Sequence, residues 1–181
     1  LDKIMPLINH GHIDYGENKV QEALDKWTTI KEQKPDLKLH LLGKLQTNKV
    51  KFAIKLFDFI HSVDSKKLAK KISEEQLKQN KNIKIFLQVN IGNEEQKSGI
   101  LKKDLNDVYH YCNDLKLDIV GLMCIPPINV DPNPFFQELN GMNKNLSLKE
   151  LSMGMSSDYI KAVENNSTYL RIGSAIFGER T

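Results

Sequence analysis

Short apolar runs alternate with helical patterns along the whole chain. The runs predict strands at His12–Tyr15, Leu39–Leu42, Phe59–Val63, Lys84–Val89, Ile119–Ile125, Glu150–Met153 and Tyr169–Ile172. Ile85–Val89 and Val120–Ile125 are almost continuously apolar, which suits strands covered on both faces. Between the runs lie stripes with a period near 3.6. Val20, Ala23, Leu24, Trp27 and Ile30 form one; Leu68, Ala69, Ile72 and Leu77 a second; Leu101, Leu105, Val108, Cys112 and Leu115 a third. Thr47 and Ser65 stand where helix N-caps would be, and Pro126, Pro127, Pro132 and Pro134 mark an irregular loop.

Strand–helix alternation of this kind predicts a parallel α/β sheet. A closed (β/α)8 barrel needs eight strands, and seven are visible. The chain opens on a helical pattern, Asp2–Asn9, whose apolar side is Ile4, Leu7 and Ile8. The expectation is therefore a TIM-type barrel that lacks its first strand in this chain, with residues 1–181 forming a single, N-terminally incomplete domain.

Composition narrows the class without naming a ligand. With 40% hydrophobic and 27% charged residues, the chain fits a globular protein, and no apolar run is long enough to span a bilayer. No secretory signal opens it, so a cytoplasmic location is expected. Cys112 and Cys124 form no C-x-x-C pair, and His10, His12, His40, His61 and His110 have no metal-ligand spacing. No metal site is expected, and the histidines read as surface or packing residues. The net charge of +3 comes from lysines spread along the chain, which disfavours a nucleic-acid surface. Lys and Arg total 26, yet the only arginines are Arg171 and Arg180, both near the C-terminus. A guanidinium kept amid so many lysines points to a need for a planar, permanently charged donor.

In a β/α barrel, ligands sit at the C-terminal ends of the strands. Ser156 and Ser157 precede Asp158 and the helical run Tyr159–Glu164, while Gly173 and Ser174 follow the last strand. Two adjacent junctions with free N–H groups can clamp a phosphate. The alternative is that Ser156 only caps its own helix. Arg171 alternates with Leu170 and Ile172, so it enters the barrel mouth if those two pack under the outer helices. Its acceptor there is either a carboxylate, Glu17 or Asp64, or a ligand's ring nitrogen or phosphate. Arg180 reads as structural.

Taken in order, the junction motifs resemble one family, the pyridoxal-phosphate homeostasis proteins, whose fold is similar to the N-terminal barrel of alanine racemase. The matching stretches are Tyr15-Gly16-Glu17-Asn18-Lys19-Val20-Gln21-Glu22, Leu42-Gly43-Lys44-Leu45-Gln46-Thr47-Asn48-Lys49 and His61-Ser62-Val63-Asp64. Gln88-Val89-Asn90-Ile91 through Lys97-Ser98-Gly99, Gly121-Leu122-Met123, Leu151-Ser152-Met153-Gly154-Met155-Ser156 and Arg171-Ile172-Gly173-Ser174-Ala175-Ile176-Phe177-Gly178 complete the set. The resemblance implies binding of pyridoxal 5′-phosphate (PLP) and a role as a PLP carrier or buffer, not as an enzyme. It puts the phosphate against Ser156 and the backbone of Gly173 and Ser174, Asn18 beside the ring, and Arg171 toward the pyridine nitrogen. An arginine there can only donate, so the ring nitrogen stays unprotonated and the ring is a poorer electron sink than a pyridinium.

Members of the family hold PLP through a Schiff-base lysine on the first strand, which the resemblance puts upstream of Leu1; Lys44, Lys49 and Lys97 match other motif positions. Without that anchor, the chain as given is expected to bind PLP weakly and noncovalently. A monomer is expected, with PLP-dependent apoenzymes as candidate recipients. The competing reading is a racemase-like PLP enzyme acting on amino acids.

Overall fold

The computed structural model describes residues 3–178, so the start of the Asp2–Asn9 pattern and Arg180 lie outside the described residues. Seven strands run in chain order: β1 (Asp14–Glu17), β2 (Lys38–Leu41), β3 (Phe59–Val63), β4 (Lys84–Gln88), β5 (Asp118–Met123), β6 (Glu150–Met155) and β7 (Tyr169–Arg171). Every pairing is parallel, and sequence neighbours are sheet neighbours throughout. Helix α1 (Met5–Asn9) precedes β1. After the successive strands come α2 (Val20–Gln33), α3 (Val50–Leu56), α4 (Lys66–Gln79), α5 (Leu105–Asp114), α6 (Asn133–Asn145), α7 (Tyr159–Glu164) and α8 (Ser174–Phe177).

The sheet is rolled up. In a flat sheet β2 and β7 would stand about 24 Å apart. Instead, the Tyr169 ring of β7 lies 5.7 Å from the His40 ring of β2 and 5.7 Å from Phe59 of β3. The result is a nearly closed, TIM-like barrel, in which β1 and β7 are each paired on one side among the described residues.

Alternation along the strands makes two layers. Outward-facing Leu39, Leu41, Ile60, Ile85 and Leu87 pack with Trp27, Ile54, Ile72, Phe136 and Leu139 of the helices. Inside the barrel, Phe59, Phe86 and Met123 form a small separate cluster with Val120 and Tyr169 against it. Both faces of the central strands are thus covered, which is why their sequences read as unbroken apolar runs.

Several local expectations change. Ser65 does cap α4, accepting from the Leu68 N–H at 3.3 Å. Thr47 caps nothing: it opens a short 3-10 turn, Thr47–Lys49, that leads into α3. Leu77 is 80% exposed, because the α4 stripe turns away from the barrel in its last turn. Leu101 lies before the helix and not in it. The proline-rich loop is shorter than expected, since Pro132 is the N-cap of α6 and Pro134 sits in its first turn, where a missing N–H costs nothing. Leu170 is 38% exposed and so only incompletely covered.

Candidate functional site

The C-terminal ends of β5, β6 and β7 are tied together by Arg171. Its Nη1 donates to Ser152 Oγ on β6 at 2.8 Å, and its Nη2 donates to the Cys124 carbonyl just past β5 at 2.8 Å. The acceptors Glu17 and Asp64 proposed from the sequence are not its partners; Glu17 accepts from Lys26 Nζ and Trp27 Nε1, each at 2.7 Å. Among the described residues Arg171 therefore has no carboxylate hydrogen-bonded to it, and Asp158 at the start of α7 acts on its charge only through space. The arginine's Nε–H and one N–H on each terminal nitrogen are left for a further acceptor.

Immediately beyond, the β6–α7 and β7–α8 junctions meet. Ser156 Oγ accepts from Gly173 N–H at 3.3 Å and from Ala175 N–H at 3.2 Å. Ser156 does not cap α7. Asp158 holds that position, with its carboxylate accepting from the Met155 N–H at 2.6 Å. The path to this geometry runs through Gly154, at φ +93°, where a Cβ would fall 2.5 Å from the Ala162 side chain. Only glycine gives β6 the left-handed residue that swings Ser156 toward α8. A Cβ on Gly173 would meet nothing within 4 Å, so the backbone N–H groups there are open to approach.

Ser156, Gly173 and Ser174 are thus brought together, with Arg171 two residues before Gly173. Asn18 is separate. It is exposed beyond β1, and its carbonyl crosses so close to Gly43 that a Cβ on that glycine would fall 2.1 Å away. That contact fixes the β1 junction against the β2 junction; no hydrogen bond joins Asn18 to the other four residues. Lys97 is engaged with Glu94 at 2.6 Å. Lys44 lines an open cleft of about 670 Å³ with Gln46, Asn48, Asp64 and Lys67 at the ends of β2 and β3, apart from the Ser156 junction.

The sequence reading missed what lies beneath Arg171. Ser152 Oγ is 2.8 Å from His61 Nδ1, His61 Nε2 is 3.0 Å from His40 Nδ1, and His40 Nε2 is 3.0 Å from Asp14 Oδ1. Both imidazoles are buried and sandwiched by aromatic rings, with His40 stacked on Phe59 at 4.3 Å and His61 on Phe86 at 4.2 Å. Burial pulls the His40 pKa below its ordinary value, against the opposing pull of Asp14. Burial, reinforced by His40 and Arg171, holds His61 well below its own. The available signal was parity: Phe59 and His61 alternate with Ile60 on β3, and Phe59 and His61 both point inward. Cys112 and Cys124 are buried, and burial pushes each thiol up to about 12, which makes them inert packing groups at neutral pH. Among the described residues no group of His, Cys, Asp and Glu could hold a metal ion. No helix of the described residues is long and apolar enough to cross a membrane.

Comparison with known proteins agrees with this architecture at every level. The family model described as "Alanine racemase, N-terminal domain" matches residues 1–181. A pyridoxal phosphate homeostasis protein of Aquifex aeolicus is 39% identical over 187 residues, covering 98% of this chain and 81% of that protein. This chain belongs to the pyridoxal phosphate homeostasis family of alanine racemase N-terminal-type barrels. Another member, from Vibrio cholerae, is 37% identical over 192 residues and covers 99% and 81% of the two chains. Among solved structures, PipY of Synechococcus elongatus with PLP bound superposes with a TM-score of 0.89 at 35% identity, covering 97% of this chain and 86% of PipY.

Proposed function

We propose that this chain binds pyridoxal 5′-phosphate at the barrel mouth and acts in PLP homeostasis as a carrier or buffer, not as an enzyme. The observation that carries the reading is the convergence of Ser156 Oγ, Gly173 N–H and Ala175 N–H beside the positive charge of Arg171. Two N–H groups already aimed at one oxygen are a preformed acceptor position, which a phosphate oxygen can take over or share with the Ser156 hydroxyl. The residues present therefore fit the cofactor. The pyridoxal phosphate homeostasis relatives and the PLP complex of PipY support the same choice of ligand.

In this arrangement Ser156, Gly173 and Ser174 hold the phosphate, Asn18 lies beside the ring, and Arg171 faces the ring nitrogen. Bound PLP supplies a reactive aldehyde and an electron-withdrawing ring. Arg171 limits the second property, because a donor-only cation keeps a proton off the ring nitrogen. Among the described residues no carboxylate is hydrogen-bonded to Arg171 to reverse that. We read residues 1–181 as one domain that works as a cytoplasmic monomer and passes PLP to apoenzymes.

Titration with PLP, followed by the quenching of Trp27 fluorescence and by equilibrium dialysis, tests the reading. Saturable one-to-one binding, competed by inorganic phosphate, is the expected result. Absence of saturable binding would overturn the assignment, and amino-acid racemisation at enzymatic rates would replace the carrier with an enzyme.

A further inference from the structure

Five side chains cross the barrel interior in a single file. Arg171 stands at the mouth, Ser152, His61 and His40 follow on β6, β3 and β2, and Asp14 closes the line at the start of β1. Each spacing is a hydrogen bond, and the direction of each bond can be worked out from the two ends.

Arginine has no acceptor, so Arg171 must donate to Ser152 Oγ. Among the described residues that hydroxyl has no acceptor other than His61 Nδ1, so its own proton goes there. His61 then carries its proton on Nε2 and donates to His40 Nδ1. His40 in turn carries its proton on Nε2 and donates to the Asp14 carboxylate. Starting from Asp14, which when ionised only accepts, gives the same answer at every link. The opposite direction fails at the top. A proton added to either imidazole would place an N–H on His61 Nδ1, so that Ser152 Oγ accepts from both His61 and Arg171 and its own hydroxyl proton has no acceptor among the described residues.

We infer that Arg171, Ser152, His61, His40 and Asp14 form one directional hydrogen-bond relay, with both imidazoles neutral and protonated on Nε2, and that Ser152, His61 and His40 are positioning residues for the Arg171 guanidinium. The relay connects the cation at the mouth to a carboxylate at the barrel floor through aligned dipoles. It offsets the cost of burying the guanidinium without a direct ion pair to it among the described residues. The stacked rings of Phe59 and Phe86 hold the imidazole planes, so the bonds are fixed in angle as well as in length. The surrounding charges are consistent with neutral imidazoles. His40 is influenced by Asp14, Asp58 and Lys31, and His61 by His40 and Arg171, and burial dominates at both. The role toward the ring rests on the PLP reading above; the tautomers and the bond directions do not.

Nitrogen-15 NMR of the histidine side chains in the cofactor-free protein tests the relay directly. At pH 7.5 both His40 and His61 should show a bare Nδ1 and a protonated Nε2. An Nδ1-protonated or doubly protonated ring at either position would overturn the inference. The positioning role is tested in the PLP-loaded protein. Ser152→Ala should weaken PLP binding about tenfold, the scale of one charged hydrogen bond, and shift the pH at which the bound cofactor's absorbance changes. The phosphorus-31 signal of the bound phosphate should stay where it is, and Ser152→Thr should restore binding and absorbance profile together. Unchanged affinity and an unchanged absorbance profile in a folded Ser152→Ala protein would refute the positioning role. Correct tautomers in a protein that fails to bind PLP would uphold the relay and refute the cofactor reading.

Discussion

At the scale of single residues, the candidate site was legible wherever chemistry is local to a junction. Ser156, Gly173 and Ser174 follow strand ends in the sequence and meet in space because two neighbouring strands deliver them there. Arg171 stood out by residue type, but its partners could not be read from sequence. Ser152 lies 19 residues and Cys124 47 residues away, and a backbone carbonyl leaves no trace in side-chain patterns. His40 and His61 read from sequence as surface or packing residues because their spacing suits no metal, and their hydrogen bond spans 21 residues. The Ser156 hydroxyl gives the sharpest residue-scale prediction. Ser156→Ala removes one phosphate donor and leaves the two N–H groups in place. Loss of one hydrogen bond to a charged group costs about 1.5–3 kcal/mol, so PLP should bind roughly ten- to hundredfold more weakly. Equilibrium dialysis of the variant checks this, and an unchanged affinity would place the phosphate elsewhere.

At the scale of elements, every expected strand is present, with β3 bounded as expected and no strand end moved by more than two residues. β1 runs Asp14–Glu17 where the apolar pattern suggested His12–Tyr15, because Ile13 is exposed and gives pattern without burial. The helices were harder. α6 hides behind Pro132 and Pro134, which look like loop punctuation but are tolerated at a helix start. α4 keeps its apolar stripe through Leu68, Ala69 and Ile72 and loses it at Leu77, beyond the reach of the barrel. The element that matters most for function is the turn from β6 into α7. Gly154 bends it, Asp158 caps it, and the Ser167 hydroxyl anchors the next turn to the Met153 carbonyl at 2.7 Å. These contacts place Ser156 over the start of α8 before any ligand arrives. The site is preorganised by turn chemistry, not by the four-residue helix it faces.

At the scale of the whole molecule, the barrel interior carries a polar line where most of its neighbours are aromatic. That line couples stability to pH. His40 and His61 have folded pKa values below the ordinary 6.5 because burial disfavours their charged forms. The unfolded chain then binds more protons between the folded and unfolded values, so stability is full above about pH 6.5 and falls as pH drops through that window. Each histidine contributes at most about 1.4 kcal/mol per pH unit. Urea unfolding midpoints should hold steady from pH 8 to 7 and decline from 6.5 to 5.5. The decline should flatten in a His40→Gln, His61→Gln double variant that folds, and a wild-type midpoint independent of pH would contradict neutral burial of the pair. The rolled sheet also explains why the interior network is hidden from a linear reading: β2 and β3 are paired neighbours, but β6 reaches β3 across the barrel only once the sheet has curled. The central claim remains the PLP site at the ends of β6 and β7. A crystal structure of the protein with PLP tests it most directly. The account predicts the phosphate within hydrogen-bond reach of Ser156 Oγ and the Gly173 N–H, with the ring toward Arg171. PLP in the cleft lined by Lys44, Gln46 and Lys67, with the Ser156 junction free of ligand, would contradict it.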